Sequence, residues 1–259
     1  MSIWILGGDA RSRFAAEFLL SNGYDVKTFG VPQMADSPMI QKFSTVILPF
    51  PSFSGALLRG QSAIPIEEVI DRLQENSIIF GGMLQSQEKR FTQCGAKVFD
   101  LHGTEPLSTE NAVPTAEGAI CLAIENSPIT LDGAKCLVCG FGRCGKALAQ
   151  RLQALNAKVT VASREDAAGF ATDEIGVCSD RYDFIFNTIP APIFSSAERM
   201  SDDCVFIELA SAPGAFFDGA KKPLHYHNAP GLPGKFAPKT AGILYAKSIL
   251  KILESECFA

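Results

Sequence analysis

The stretch KCLVCGFGRCGKALAQRL, residues 135–152, leaves little freedom in how it can fold. CLVC has the length of a strand covered on both faces, and KALAQRLQAL repeats its apolar positions at helical spacing. Between them Gly140, Gly142 and Gly145 fit G-x-G-x-x-G. In that pattern the first glycine permits a tight strand-to-helix turn, the second lets backbone approach a pyrophosphate, and the third allows close helix packing. The free N–H groups at the helix start then face an anion. A glycine-rich turn also arises for steric reasons alone, but here a strand precedes it and a helix follows, which is the context a dinucleotide site requires. We therefore expect Gly140, Phe141, Gly142, Arg143, Cys144 and Gly145 to bind cofactor.

The same alternation runs along the whole chain. SIWIL, GGDAR, SRFAAEFLLSNG and DVKTFG read as strand, turn, helix and strand from residue 2. Further strands are expected at 45–50, 77–82 and 97–101, with helices near 66–73 and 84–95. Pro114, suited to a first helical turn, introduces a helix over TAEGAICLAIENS. Strands then follow at 135–139, 158–163, 183–189, 205–210 and 224–228, and 237–255 reads as a long amphipathic helix. Strands alternating with helices imply parallel sheets covered on both sides. The expected fold is α/β: two Rossmann-like lobes joined by an interlobe helix and a C-terminal crossing helix. The expected domains are 1–110 with 237–259 as the substrate lobe, 111–127 as the interlobe helix and 128–236 as the cofactor lobe. Ligands in such sheets bind outside the C-terminal strand ends, which two hinged lobes would present to a shared cleft.

A chain of 259 residues, 47% hydrophobic and 20% charged, is long enough for two cores. Its formal charge of −5 and the lack of any Lys/Arg stripe argue against nucleic acid or an anionic membrane as partner. No apolar run approaches the ~18 residues of a membrane span, and the apolar core near the N-terminus is too short for a signal peptide, so a cytoplasmic location is expected. In a reducing compartment the eight cysteines read as buried small hydrophobes. Cys136 and Cys139 form a C-x-x-C pair near Cys144, but residues three apart on a strand point to opposite faces, so no metal site is expected.

Cofactor type turns on the end of the second strand of the cofactor lobe, here VASRED. Ser163 and Arg164 suit a 2′-phosphate, whereas Glu165 could take the acidic role on a free ribose; we expect NADP. Three loops rich in small residues and proline leave predicted strand ends: NTIPAP, ELASAPGAFF and APGLPGKFAPKTAG. They nominate Asn187, Thr188, Ile189, Pro190, Ala210, Ser211, Leu232 and Pro233 as cofactor contacts. GGDAR, with two glycines, reads as a turn shaping the substrate side. Arg11 after it, and Lys239 with Thr240 at the start of the last helix, suit a substrate carboxylate and form the expected catalytic set. Arg11 is equally compatible with a plain surface helix. Asn111 and Glu117 read as helix-entry residues, and Ser52 and Ser54 as loop or substrate contacts. His102, His225 and His227 read as structural, which leaves no His–carboxylate dyad of the kind a 2-hydroxy-acid dehydrogenase needs.

GGDAR (7–11), VILP (46–49), VPTAEGAI (113–120), GFGRCGKALA (140–149), NTIP (187–190), LAS (209–211), APGLPG (229–234) and APKTAG (237–242) together resemble one family, the A subunits of dipicolinate synthase from endospore-forming bacteria. The resemblance runs nearly end to end. It implies a two-lobed NADP-linked oxidoreductase that, with a flavoprotein-like B subunit, turns dihydrodipicolinate or its hydrated precursor into dipicolinate in the sporulating mother cell. The expected partners are then a small dicarboxylate and the B subunit, with room for a homo-oligomer. Two alternatives stay open: an NADP enzyme of the shikimate-dehydrogenase type, and a cofactor-binding scaffold inactive without its partner.

Overall fold

The computed structural model describes residues 2–163, 169–170 and 181–257. It divides into two compact units, Met1–Glu110 with Ala237–Ala259, and Asn111–Phe236.

In the first unit β1 (Ile3–Leu6), β2 (Val26–Phe29), β3 (Phe43–Ile47), β6 (Leu73–Gly81) and β7 (Lys97–Asp100) form a sheet of order β2-β1-β3-β6-β7, parallel throughout. All four residues of β1 are buried, and they alternate between two cores. Ile3 and Ile5 pack with Ala15, Ala16 and Leu19 of α1 (Ala10–Ser21) and with Tyr245, Ala246 and Ile249 of the C-terminal helix. Trp4 and Leu6 face Phe43, Val46, Ile79 and Phe91 on the other side. This is the period-two alternation of a strand covered on both faces. The hairpin β4 (Phe53–Ser54) and β5 (Leu57–Leu58) lies in the connection after β3, followed by the short helix α2 (Ile66–Ile70), and α3 (Glu88–Gln93) precedes β7.

The second unit begins within α4 (Leu107–Glu125). Its sheet contains β8 (Lys135–Cys139), β9 (Lys158–Ala162), β10 (Gly169–Phe170), β11 (Phe184–Asn187), β12 (Val205–Glu208) and β13 (His225–Asn228), in the order β10-β9-β8-β11-β12-β13, again parallel throughout. Counted within the unit this is 3-2-1-4-5-6, the dinucleotide-binding order, with its topological switch point between β8 and β11. The first sheet has the 2-1-3-4-5 order of the other common doubly wound plan, with its switch point between β1 and β3. Leu148 and Leu152 of α5 (Arg143–Ala154) pack with Cys136 and Val138 of β8 and Phe184 and Phe186 of β11. Leu137 and Cys139 point to the opposite core, with Ile185, Phe194, Phe206 and Phe216. Cys136 and Cys139 thus lie on opposite faces of the sheet. Burial pushes both thiols up, Cys136 to about 12.

Several boundaries differ from the sequence expectation. Pro114 does not open a helix but sits inside α4. Its ring removes one N–H from the ladder, yet the buried row Ala112, Ala116, Ala119 and Ala123 carries the helical face straight through it. β3 ends at Ile47, ahead of the two prolines of LPFP, which cannot donate to the sheet. β6 starts four residues early, at Leu73 rather than Ser77. The loop expected at 229–242 contains α6 (Leu232–Phe236), and α7 (Pro238–Cys257) follows it at once. Among the described residues no helix is long and apolar enough to cross a membrane.

The pairing of α1 with α7 depends on Gly242. A Cβ there would fall within 3.0 Å of the Arg11 carbonyl oxygen and at 3.0 Å from the Phe14 Cβ. Tyr245, one turn on, donates its hydroxyl to the Leu48 carbonyl at 3.0 Å. Gly242→Val should therefore destabilise the protein by about 1–3 kcal/mol, the usual range for overpacking. Urea unfolding measures this, and an unchanged midpoint would contradict the close packing described.

Candidate active site

β8 ends at Cys139 and the chain turns at Gly140, whose φ of +100° favours glycine. The Gly140 N–H donates to the Ala162 carbonyl at 2.7 Å, and Thr188 donates both its N–H and its hydroxyl to the Cys139 carbonyl, each at 2.8 Å. The end of β8 is thereby held from both neighbouring strands. α5 starts at once, and its third residue, Gly145, is buried under the turn: a Cβ at 145 would lie within 3.0 Å of the Gly140 carbonyl oxygen. Gly142 occupies the N-cap with no side chain closing the helix start. A Cβ at 142 would meet nothing within 4 Å. The uncapped N–H groups, the positive end of the helix dipole and this open space make a cradle that fits the diphosphate of a nicotinamide dinucleotide. Around it Phe141 and Arg143 are exposed, and the Lys146 ammonium lies 5.2 Å from the Phe141 ring centre. Cys144 is half-buried; burial raises its thiol pKa, against a smaller pull from Arg143.

Ser163 follows β9 directly and is buried. Arg164 and Glu165 lie outside the described residues. Asn187 closes β11 and is fully buried; its amide donates to the Ile189 carbonyl (2.9 Å) and accepts from the Ile189 N–H (3.1 Å). The same amide donates to Glu208 Oε1 at 2.7 Å. Glu208, at the end of β12, is 2% exposed and also accepts from the Ala210 N–H (3.2 Å) and the Ala215 N–H (2.7 Å). Burial raises its carboxyl pKa, against these hydrogen bonds and the influence of the nearby Tyr226 hydroxyl. Thr188, Ile189 and Ala210 are half-buried, and Pro190 and Ser211 exposed, so the predicted residues of these two loops flank this network. Leu232 and Pro233 are buried, and the Leu232 side chain is committed to the core beside α4.

In the first unit Asp9 caps α1 and holds Arg11. Asp9 Oδ1 accepts from the Arg11 N–H at 2.9 Å, and the guanidinium binds the carboxylate with its closest pair at 2.7 Å. Burial works to raise the Asp9 pKa, but the hydrogen bonds and charge of Arg11 outweigh it and hold the carboxyl below its ordinary value. Lys239 and Thr240 are exposed in the first turn of α7, which Gly242 brings against the first turn of α1. Arg11, Lys239 and Thr240 therefore all stand on one unit. Of the other candidates, Ser52 is fully buried and donates to the Pro49 carbonyl, Ser54 is exposed, and Glu117 pairs with Arg151 at 3.5 Å.

Asp9 and Glu208 were not singled out by sequence reasoning. Glu208 could have been found, because an acidic residue closing the buried run VFI needs compensating donors. The Gly142 cradle yields a direct prediction. Gly142→Asp installs a favourable N-cap residue but sets a negative charge where the diphosphate would lie. The variant should keep its thermal stability while its NADPH dissociation constant rises at least about tenfold. Unchanged affinity by calorimetry would contradict the assignment.

Residues 2–102 match the family described as the N-terminal domain of the dipicolinate synthase A subunit. Over nearly its whole length the chain is 29% identical to the dipicolinate synthase A subunit of Bacillus subtilis (strain 168), covering 98% of this chain and 96% of that protein. The crystal structure of the dipicolinate synthase A subunit from Bacillus halodurans superposes with a TM-score of 0.84 at 25% identity, with 97% of each chain covered. An L-alanine dehydrogenase structure shares the fold alone, with a TM-score of 0.67 at 14% identity over 98% of this chain and 89% of that one. Residues 2–102 thus match the N-terminal domain family of the dipicolinate synthase A subunit, and the chain is similar to that protein from end to end.

Proposed function

We propose that this chain is an NADP-linked oxidoreductase, the A subunit of a dipicolinate synthase, oxidising dihydrodipicolinate or its hydrated precursor together with a flavoprotein-like B subunit in a sporulating mother cell. The observation that carries this reading is the uncapped, unobstructed helix start at Gly142, at the switch point of a 3-2-1-4-5-6 sheet. The end-to-end likeness to the dipicolinate synthase A subunit supports the substrate and the partner.

Bound at that edge, NADP⁺ supplies a two-electron hydride acceptor. The chain's own residues position the reactants. Backbone N–H groups of the Gly140–Gly145 turn hold the diphosphate, and Ser163 with Arg164 takes the 2′-phosphate. Arg11, Lys239 and Thr240 supply donors for substrate carboxylates, with Asp9 fixing the Arg11 guanidinium. Removing two hydrogens, as a hydride and a proton, would turn a dihydropyridine into an aromatic pyridine. The driving force is large, and positioning rather than a strong acid–base dyad dominates.

The test is NADPH formation on supplying the dihydrodipicolinate precursor, first with the purified chain and then in the presence of the B subunit. Turnover is expected with NADP⁺, whereas no turnover in either arm would refute the reading. Arg11→Ala should raise the half-saturating substrate concentration about tenfold or more while moving that for NADP⁺ little; equal effects on both would refute its assignment. Arg164→Ala should narrow the preference for NADP⁺ over NAD⁺, and an unchanged ratio would remove Arg164 from the site.

A further inference from the structure

We infer that Glu208 is a positioning residue that sets both loops on the β11–β12 side of the sheet edge, and so controls the nicotinamide half of the bound cofactor without touching it. The inference rests on the reading of this edge as a nicotinamide dinucleotide site.

Every hydrogen-bond partner the structure gives Glu208 is a neutral donor, and they come from separate stretches of chain. Oε1 accepts from the Asn187 side chain at the end of β11 and from the Ala210 N–H after β12. Oε2 accepts from the Ala215 N–H at 2.7 Å. The Tyr226 hydroxyl of β13 is close enough to feel the same carboxylate, and its own pKa is raised to about 12, first by burial and then by that charge. Three donors, with no competing acceptor among the described residues, suit one species, the ionised carboxylate. Asn187 cannot turn away, because its oxygen already accepts the Ile189 N–H and its nitrogen must then face Glu208 and the Ile189 carbonyl. Gly214, at φ +81°, closes the same knot: a Cβ there would sit 3.1 Å from Glu208 Oε2. One buried carboxylate therefore sets the loop after Asn187 and the loop from Leu209 to Ala215.

A buried carboxylate held by neutral donors alone is expensive compared with an apolar side chain of similar volume. Simple packing does not explain it. What it supplies is a common reference point for two loops that leave adjacent strands. In a sheet of this order a ligand crossing the β8/β11 switch point lays one half on the β9 side and the other on the β11–β12 side. The loops tied to Glu208 belong to the second half. On this reading the adenosine half lies on the β9 side, where none of the described hydrogen-bond partners of Glu208 stands.

Glu208→Gln preserves shape but replaces one acceptor oxygen with a donor. The Tyr226 hydroxyl can rotate to accept, whereas the Ala210 and Ala215 N–H groups cannot, so a buried donor is orphaned and one loop moves. Calorimetry on the full chain with NADPH and with 2′-phospho-ADP-ribose, which lacks the nicotinamide half, separates the effects. In Glu208→Gln the dissociation constant for NADPH should rise about tenfold while that for 2′-phospho-ADP-ribose stays within about twofold. Tyr226→Phe removes the hydroxyl beside Glu208 and leaves the carboxylate; it should show the same selectivity at about two- to threefold, and it decides the matter if Glu208→Gln does not fold. Equal weakening of both ligands, or unchanged NADPH affinity, would overturn the inference. A wild-type chain that binds 2′-phospho-ADP-ribose as tightly as NADPH would overturn it as well. A wild-type chain that binds neither would overturn the cofactor reading itself.

Discussion

The approach of α5 to the end of β8, possible only because residue 145 has no side chain, is the constraint on which the second unit depends. With the Gly140 carbonyl seated where a Cβ would stand, the helix starts directly at the strand end and Gly142 becomes its N-cap. The helix N–H groups are then presented at the switch point of the sheet, without a capping side chain. A larger residue at 145 would force the turn open and remove the anion cradle along with the packing of Leu148 and Leu152 against β8 and β11.

Carboxylates organise the strand ends in both units by one device. Glu208 collects donors from Asn187, Ala210 and Ala215. In the first unit Asp100, closing β7, accepts the N–H groups of Met83 and Leu84 from the loop after β6, and that of His102 (2.7–2.9 Å). Asp9 caps α1 and clamps Arg11. Glu208 and Asp100 are acids closing a strand that gather loop donors the sheet ladder leaves unpaired, and Asp9 does the same work at a helix start. The loops stay ordered without further secondary structure, as positioning a ligand requires.

How much of this was legible from the chain depended on whether the signal was local. Buried runs such as IWIL, CLVC and FIFN read as doubly covered strands because parallel sheets need apolar residues on both faces, and the strand-turn-helix at 135–152 read directly from its glycines. Pro114 misled because a proline's local preference for a helix start gave way to a row of buried alanines on either side of it. The hairpin after β3 and the helix α6 stayed hidden because each is five residues or fewer per element, too short for any period to show. At the site, the candidates came from loop composition, which marks where backbone can approach a ligand. It does not show which side chains are already engaged: Arg11 is held by Asp9, and Leu232 is taken up by the core. Those pairings are made across the fold or depend on rotamers, and neither leaves a spacing signature.

The central claim is that a dinucleotide diphosphate lies on the amide-rich start of α5. A crystal structure of the chain with NADP⁺ tests it most directly. The account predicts phosphate oxygens within hydrogen-bond distance of backbone N–H groups of residues 142–145, with the nicotinamide toward the loops after β11 and β12. Density for the cofactor elsewhere, with that helix start left bare, would contradict it.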